Sequence, residues 1–447
     1  MEAGGGLGSF LFDGYSAKDE FAGIILRTCT SNFDIVERCV AVKIFQRGLT
    51  GKQWFKVVDD ERRKLTNLKL VFTIADGHPS NGIVGELMQA TVDGLFHSFC
   101  FSHTLVKVGS NFQAPDADRF VKLWIAVFKN SLVARGVFQR VTGEAWKRKH
   151  KVRWWTTMGV YEQLLRFWSV LPKLFAELET ANASIESLTK LKQVWNTSQS
   201  YASALVIQLM AAYDGGLQFF KATTFFEGTG FLAPFVYAYL KMLRGVVEKV
   251  DRSNQPVSTL PNVFSLIQQA PGHVNRNVVW VDAKAVLQPG FAYFRRHLID
   301  MTEDSKVRQF KKACELFAFA QLFHPIYGKK LMEEPGFSLE GILRRETTRG
   351  VLEVLGPNIL DDLKKDFPLL VSAFERNVAV DVKYTPATVV KWWKEIGGNV
   401  GAWAAAARLF TLLQPSEASC ERLFSILRHS VDDSQERMLE DQVELRE

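Results

Sequence analysis

Two aspartates stand where the chain could do chemistry. Asp13 closes the run Leu11-Phe12 and is followed by Gly14-Tyr15-Ser16; Asp76 closes a longer apolar run and is followed by Gly77-His78-Pro79-Ser80-Asn81. If the two runs are neighbouring strands, both carboxylates project from one sheet edge. Hard divalent cations take such oxygen ligands, and two ions ~4 Å apart can activate an attacking oxygen and stabilise a leaving one in phosphoryl transfer. Asp-Gly after a strand is also an ordinary turn, so spacing alone leaves both readings open. A second group is Cys100-Phe101-Ser102-His103, with His97 three residues before it. It offers sulfur and nitrogen to a metal, but no second pair stands at zinc-finger spacing, so no zinc is expected.

For Asp13 and Asp76 to meet, the chain between them must build a sheet. Ser9 to Asp13, Phe21 to Cys29 and Arg38 to Gln46 are short apolar runs between turn residues, which predicts three strands. Thr50 and Gln53 have capping-box spacing, and Trp54, Val57, Val58 and Leu65 then recur at helical period. Leu68 to Ala75 is nearly continuous in apolar residues, as in a strand buried on both faces. Ile83, Val84, Leu87, Met88 and Leu95 predict a second helix. Three strands, a helix, a strand and a helix form the opening of a ribonuclease H-like fold. A further short strand is predicted at Lys151 to Thr156. Beyond it the chain turns helical, at Tyr161 to Leu178, Ala202 to Ala212, Phe235 to Val250, Val307 to Leu322 and Leu339 to Leu355, with breaks near Asp251 to Ser258, Gly272 to Asn277 and Pro386. The expected fold class is α/β plus α, a sheet core interrupted by a large all-helical insertion domain.

Composition agrees with a folded chain that has a large core. Of 447 residues, 47% are hydrophobic and 23% charged, and 34 Phe with 11 Trp must find burial. The net charge of +7 favours a polyanion partner through counterion release, although a mildly basic protein needs none. Five scattered cysteines with no C-x2-C pair suit a reducing compartment. Met1 to Ser9 is Gly-rich, without the basic and apolar regions of a signal peptide. The most apolar stretch, Gly230 to Leu240, contains Pro234 and falls short of the ~20 residues a membrane span needs, so no membrane partner is expected.

Several segments, taken in order, resemble a known family. Leu11 to Ser16 and Thr73 to Asn81 look like the two Asp motifs of hAT-superfamily DNA transposases, and Cys100 to Leu105 is similar to the family's C-x-x-H-x-L element. Arg153-Trp154-Trp155-Thr156-Thr157 resembles its R-W-x-S/T segment; Leu322 to Lys329 resembles L-x-P-x-[YF]-K, and Trp392-Trp393 its tryptophan pair. Pro415-Ser416-Glu417-Ala418-Ser419-Cys420-Glu421-Arg422-Leu423-Phe424-Ser425 reads like the S-E-R-x-F-S signature of the C-terminal dimerisation region, with Cys420 where the family usually has Ser.

The resemblance implies DNA strand cleavage and transfer at a two-metal Asp/Asp/Glu site using Mg2+ or Mn2+. Asp13, Asp76 and Glu421 are the implied catalytic metal ligands, supported by His103 and Cys100. Taken locally, Glu421 is one turn into a helix that Ser416 can cap, and an ordinary surface glutamate would look the same. Trp154 is implied to stack on a flipped base, with Arg153, Lys149 and Lys151 at phosphates; an aromatic face suits any base, and equally suits a core. The implied partners are DNA and a second copy of the chain, in a homodimer or higher homo-oligomer, and the implied location is the nucleus. Met438, Leu439 and Val443 form an apolar ridge on a charged C-terminal helix. The expected domains are 1–160 for the first part of the core, 161–405 for the helical insertion, and 406–447 for helices completing the core and the dimerisation region. No Cys/His cluster precedes Asp13, so the expectation is a catalytic body without the family's N-terminal BED-type zinc finger. The alternative is a truncated or domesticated copy that dimerises and binds or regulates DNA without cutting it.

Overall fold

The structure, a computed structural model, describes residues 6–16, 20–45, 49–147, 155–299, 305–377 and 383–430. The described residues are mostly helical with one small mixed sheet, an α+β composition. By internal packing it separates into two units. One comprises residues 1–103, 224–241 and 300–447, the other residues 104–223 and 242–299.

The first unit holds the sheet. Strands β1 (Gly6–Ser16), β2 (Glu20–Cys29), β3 (Ile35–Phe45), β4 (Leu68–Ala75) and β5 (Phe96–Phe99) lie in the order β3-β2-β1-β4-β5. β1 pairs antiparallel with β2 and β2 with β3, while β4 runs parallel to both β1 and β5. A central strand has both faces covered, and Ser9, Phe10, Leu11 and Phe12 are all buried. β1 continues beyond its predicted end at Asp13 as far as Ser16. The cause is its antiparallel partner: pairing with β4 stops at Leu11↔Ile74, but the ladder with β2 runs on to Ser16↔Glu20. β5 has no sequence signature, being four buried residues interrupted by His97, too short to display a period.

Helices α1 (Gly51–Lys64) and α2 (Pro79–Thr91) pack on one face of the sheet, where Trp54, Val58, Val84 and Met88 join Phe10, Phe12, Ile24 and Leu70 in a common core. Thr50 starts α1 through the anticipated reciprocal capping box with Gln53. Side chains alternate along a strand. Ser9, Leu11 and Asp13 therefore face the opposite side from Phe10 and Phe12, and there Ser9 Oγ donates to the Leu412 carbonyl at 2.8 Å. The C-terminal helix Ala418–Ser430 packs against β1 and β2.

The second unit is helical throughout its described residues, with Trp124, Phe128, Phe138 and Trp146 clustered in one part and Phe120, Trp168, Phe175 and Trp195 in another. The strand predicted at Lys151 to Thr156 is not formed where the chain is described: Thr156 opens a helix that runs to Arg166, and residues 151–154 lie outside the described residues. The single helix predicted from Tyr161 to Leu178 is interrupted at residues 167–170, because Pro172 sits in the first turn of a new helix, Leu171–Thr180, where its missing N–H costs nothing.

A buried histidine in the first unit makes part of the fold acid-sensitive. His324 precedes Pro325, and its Nδ1 accepts the N–H groups of Ile326 and Tyr327, both at 3.1 Å, capping helix Pro325–Met332. Only a neutral ring can accept there, and burial pushes its pKa down to about 3. His97 is likewise pushed down to about 4 by burial. The unfolded chain takes up these protons below about pH 6.5 while the folded chain resists, so stability is lost as pH falls from about 6.5 toward the folded values. His324→Asn keeps a capping acceptor that cannot titrate. Its expected effect is a shallower acid loss of unfolding free energy, by up to about 1.4 kcal/mol per pH unit, read from denaturant unfolding across that window. An unchanged slope would show that His324 is not held neutral.

Candidate active site

Asp13 and Asp76 are placed by neighbouring parallel strands. The register Leu11↔Ile74 aligns Asp13 with the residue that follows β4, which is Asp76. Asp76 is held firmly: its Oδ1 accepts from the His78 N–H at 2.8 Å and from Asn81 Nδ2 at 2.6 Å. Asn81 is fixed in turn, because its Oδ1 accepts from Trp54 Nε1 at 2.7 Å in the core beneath. The Asp-x4-Asn spacing is thus a positioning device, in which a buried indole orients the amide that orients the carboxylate. Asp13 Oδ1 accepts from the Gly14 N–H at 2.8 Å.

Two backbone hydrogen bonds bring the remaining groups alongside. The Cys100 N–H donates to the Ala75 carbonyl, and the Phe101 N–H donates to the Pro415 carbonyl, both at 2.8 Å. The start of helix α3 (Phe101–Ser110) is thereby tied to the end of β4 on one side and to the segment leading into the C-terminal helix on the other. His103, in the first turn of α3, lies between two carboxylates one helical turn apart: its Nδ1 is 2.8 Å from Glu417 Oε1 and its Nε2 is 3.9 Å from Glu421 Oε1. Glu417 is only 1% exposed and Glu421 25%.

The electrostatics follow from this crowding. Burial, then the Glu417 carboxylate, then that of Asp76 raise the Asp13 carboxyl well above its usual range, with His103 acting in the opposite direction. Burial opposes charge on both His103 and Glu417, but each overcomes the penalty for the other: the ring is held protonated and the carboxylate ionised. Asp13 and Asp76 offer carboxylate oxygens of the kind hard divalent cations take, Glu417 is the glutamate whose charge acts on Asp13, and Glu421 joins the group through His103. Glu417 entered the sequence reading only as a member of the Pro415 to Ser425 signature. The signal passed over is the place of Glu417 just before the helix Ala418–Ser430, four residues ahead of Glu421, with its carbonyl accepting the Cys420 N–H.

The C-terminal helix is held by groups from β2 and β3. Arg27, 1% exposed, donates through Nε to the Thr411 carbonyl at 2.7 Å, through Nη2 to the Gly230 carbonyl at 2.6 Å and through Nη1 to Glu37 at 2.5 Å. The other oxygen of Glu37 accepts from Ser419 Oγ at 2.7 Å, and Arg422 donates to that hydroxyl and to the Glu227 carbonyl. Arg422 is therefore engaged away from Glu421. Cys420 is buried, its Sγ 3.3 Å from the Leu11 carbonyl. At Gly23 a Cβ would stand 3.1 Å from the Phe424 ring and 3.3 Å from Leu423. Gly23→Val is expected to lower the unfolding free energy by about 1–3 kcal/mol through this overpacking. Unchanged thermal unfolding would refute so close a seating of the helix on the sheet.

Among the other anticipated residues, Lys149, Lys151, Arg153 and Trp154 lie outside the described residues, as do Met438, Leu439 and Val443. Trp155 is a buried core residue. The Trp392-Trp393 pair is buried too, and Trp393 Nε1 donates to the Phe323 carbonyl at 2.8 Å, joining two segments that the sequence singled out separately.

Comparison with known proteins bears on the segment that carries Glu417 and Glu421. Residues 369–445 match the family model of the hAT family C-terminal dimerisation region. This match supports a hAT-family, transposase-like protein. No curated protein matches the chain. The hAT region spans the Trp392-Trp393 pair, the Arg27-bonded carbonyl of Thr411 and the segment from Glu417 to Glu421, so the part of the chain attributed to self-association also furnishes the two carboxylates that flank His103. Among the described residues, no helix is long and apolar enough to cross a membrane.

Proposed function

We propose that this hAT-family chain is a DNA strand-cleaving and strand-transferring enzyme acting as a dimer, with Asp13, Asp76 and Glu421 holding a pair of Mg2+ or Mn2+ ions. The observation that carries the reading is the meeting of three remote segments: aligned aspartates on adjacent parallel strands, and a glutamate-bearing helix turn that reaches the same His103 from the far end of the sequence. The strand order β3-β2-β1-β4-β5, with its first three strands antiparallel, supports a ribonuclease H-like core. The ions would supply activation of an attacking water or 3′-hydroxyl and charge stabilisation of the leaving oxygen. Asp13 and Asp76 orient the ligand oxygens from rigid strand ends, and Asn81 and Trp54 lock Asp76. The net charge of +7 favours DNA as the polyanion, which such a protein would meet in the nucleus.

Nicking of labelled duplex DNA by the purified chain, in Mg2+ or Mn2+ against chelator, tests the proposal. A dimeric mass with no ion-dependent cleavage would overturn the enzymatic reading in favour of a dimerising DNA-binding protein that does not cut.

A further inference from the structure

Close to Asp13 lies a group of a different chemical kind. The Cys100 sulfur, a ring nitrogen of His103 and a carboxylate oxygen of Glu417 all lie within 4.8 Å of one another. Magnesium and calcium have little use for sulfur. Zn2+ accepts such a mixture of S, N and O donors, often as three protein ligands with water in a fourth position. The donors are preorganised: Cys100 is tied through its N–H to the Ala75 carbonyl, its sulfur just ahead of helix α3 accepts the His103 N–H at 3.4 Å, and the Glu417 carbonyl accepts the Cys420 N–H at 2.8 Å. Glu417 is 1% exposed, and its carboxylate faces the His103 ring and the Cys100 thiol in place of water, so the three donors converge in a buried position. His103, 36% exposed, leaves a way in from solvent.

We propose that Cys100, His103 and Glu417 form a Zn2+ site distinct from the hard-ion site of Asp13, Asp76 and Glu421. The thiolate and carboxylate balance the charge of the ion, His103 binds as neutral imidazole, and the displaced protons pass to solvent. Sequence spacing excluded zinc because it looks for a second nearby pair; here the third donor comes from the other end of the chain.

The test is a Co2+ titration of the purified full-length chain, followed by Zn2+ competition. Wild type is expected to bind about one ion per chain with tetrahedral visible bands and a near-ultraviolet thiolate charge-transfer band, both displaced by Zn2+. Cys100→Ser should abolish the thiolate band, and Glu417→Gln should weaken Zn2+ by at least about tenfold. Asp13→Asn/Asp76→Asn should retain the band, which separates this site from the cleavage site: loss of nicking there leaves Zn2+ binding intact. Absence of a thiolate band in folded wild type, its survival in Cys100→Ser, or its dependence on Asp13 and Asp76 would each overturn the proposal.

Discussion

Asp76→Ala is expected to reduce Mg2+-dependent nicking of duplex DNA by about three orders of magnitude, equivalent to about 4 kcal/mol of transition-state stabilisation, while the chain remains folded. The size follows from what the carboxylate does. Its position is set by the His78 N–H and by an Asn81 amide locked onto Trp54, so no neighbouring group can move in to replace it. Removing it leaves the buried Asn81 amide without its acceptor, a cost of about 1–3 kcal/mol in stability that Asp76→Asn, tested alongside, avoids in part. Asp13→Asn should have a comparable effect on activity with an opposite effect on stability in the absence of metal. The Asp13 carboxyl has a raised pKa, so its ionised form is disfavoured by burial and by Glu417 and Asp76; stability from its protonated form is present at low pH and is lost as pH rises through the folded value. An amide removes that loss. Circular dichroism melts and a gel-based nicking assay on the same preparations separate the two effects. Activity of Asp76→Ala within a few-fold of wild type would end the metal-ligand assignment.

Arg27→Met is expected to destabilise the first unit by about 3–5 kcal/mol in denaturant unfolding. The guanidinium is buried and serves the carbonyls of Thr411 and Gly230 as well as Glu37, so its loss strands acceptors from three segments at once. Methionine restores much of the volume, so the loss comes mainly from the missing pairing and only slightly from a cavity. The double variant Arg27→Met/Glu37→Met separates the two causes. Removing both charges leaves no stranded carboxylate and should recover part of the loss, because an apolar pair can replace a buried ion pair at little cost. A loss below about 1 kcal/mol in the single variant would mean that the carbonyls of Thr411 and Gly230 find water instead.

The local elements were largely legible because their signals are local. Thr50 with Gln53 announced α1 through a reciprocal cap, and the apolar run Leu68 to Ala75 announced a strand buried on both faces. β5 was illegible: Phe96 to Phe99 owes its strand state to pairing with β4, a tertiary cause that a four-residue window cannot display. The acidic pair could be named from the sequence, but only a parallel β1–β4 register makes them neighbours. Glu421 came from likeness to a family signature and not from spacing. Glu417 was passed over because its importance lies in depth: nothing in Ser416-Glu417-Ala418 says that this side chain is buried against His103 while Glu421 remains partly exposed.

The assembly of one acidic face from the first hundred residues and from Pro415 to Glu421 has a consequence in time. A ribosome delivers Asp13, Asp76 and His103 long before Glu417 and Glu421, and the bond from the Phe101 N–H to Pro415 cannot close until then. Throughout synthesis the nascent chain therefore lacks the Glu417 and Glu421 side of His103, and that side arrives within the stretch matched to the hAT dimerisation region.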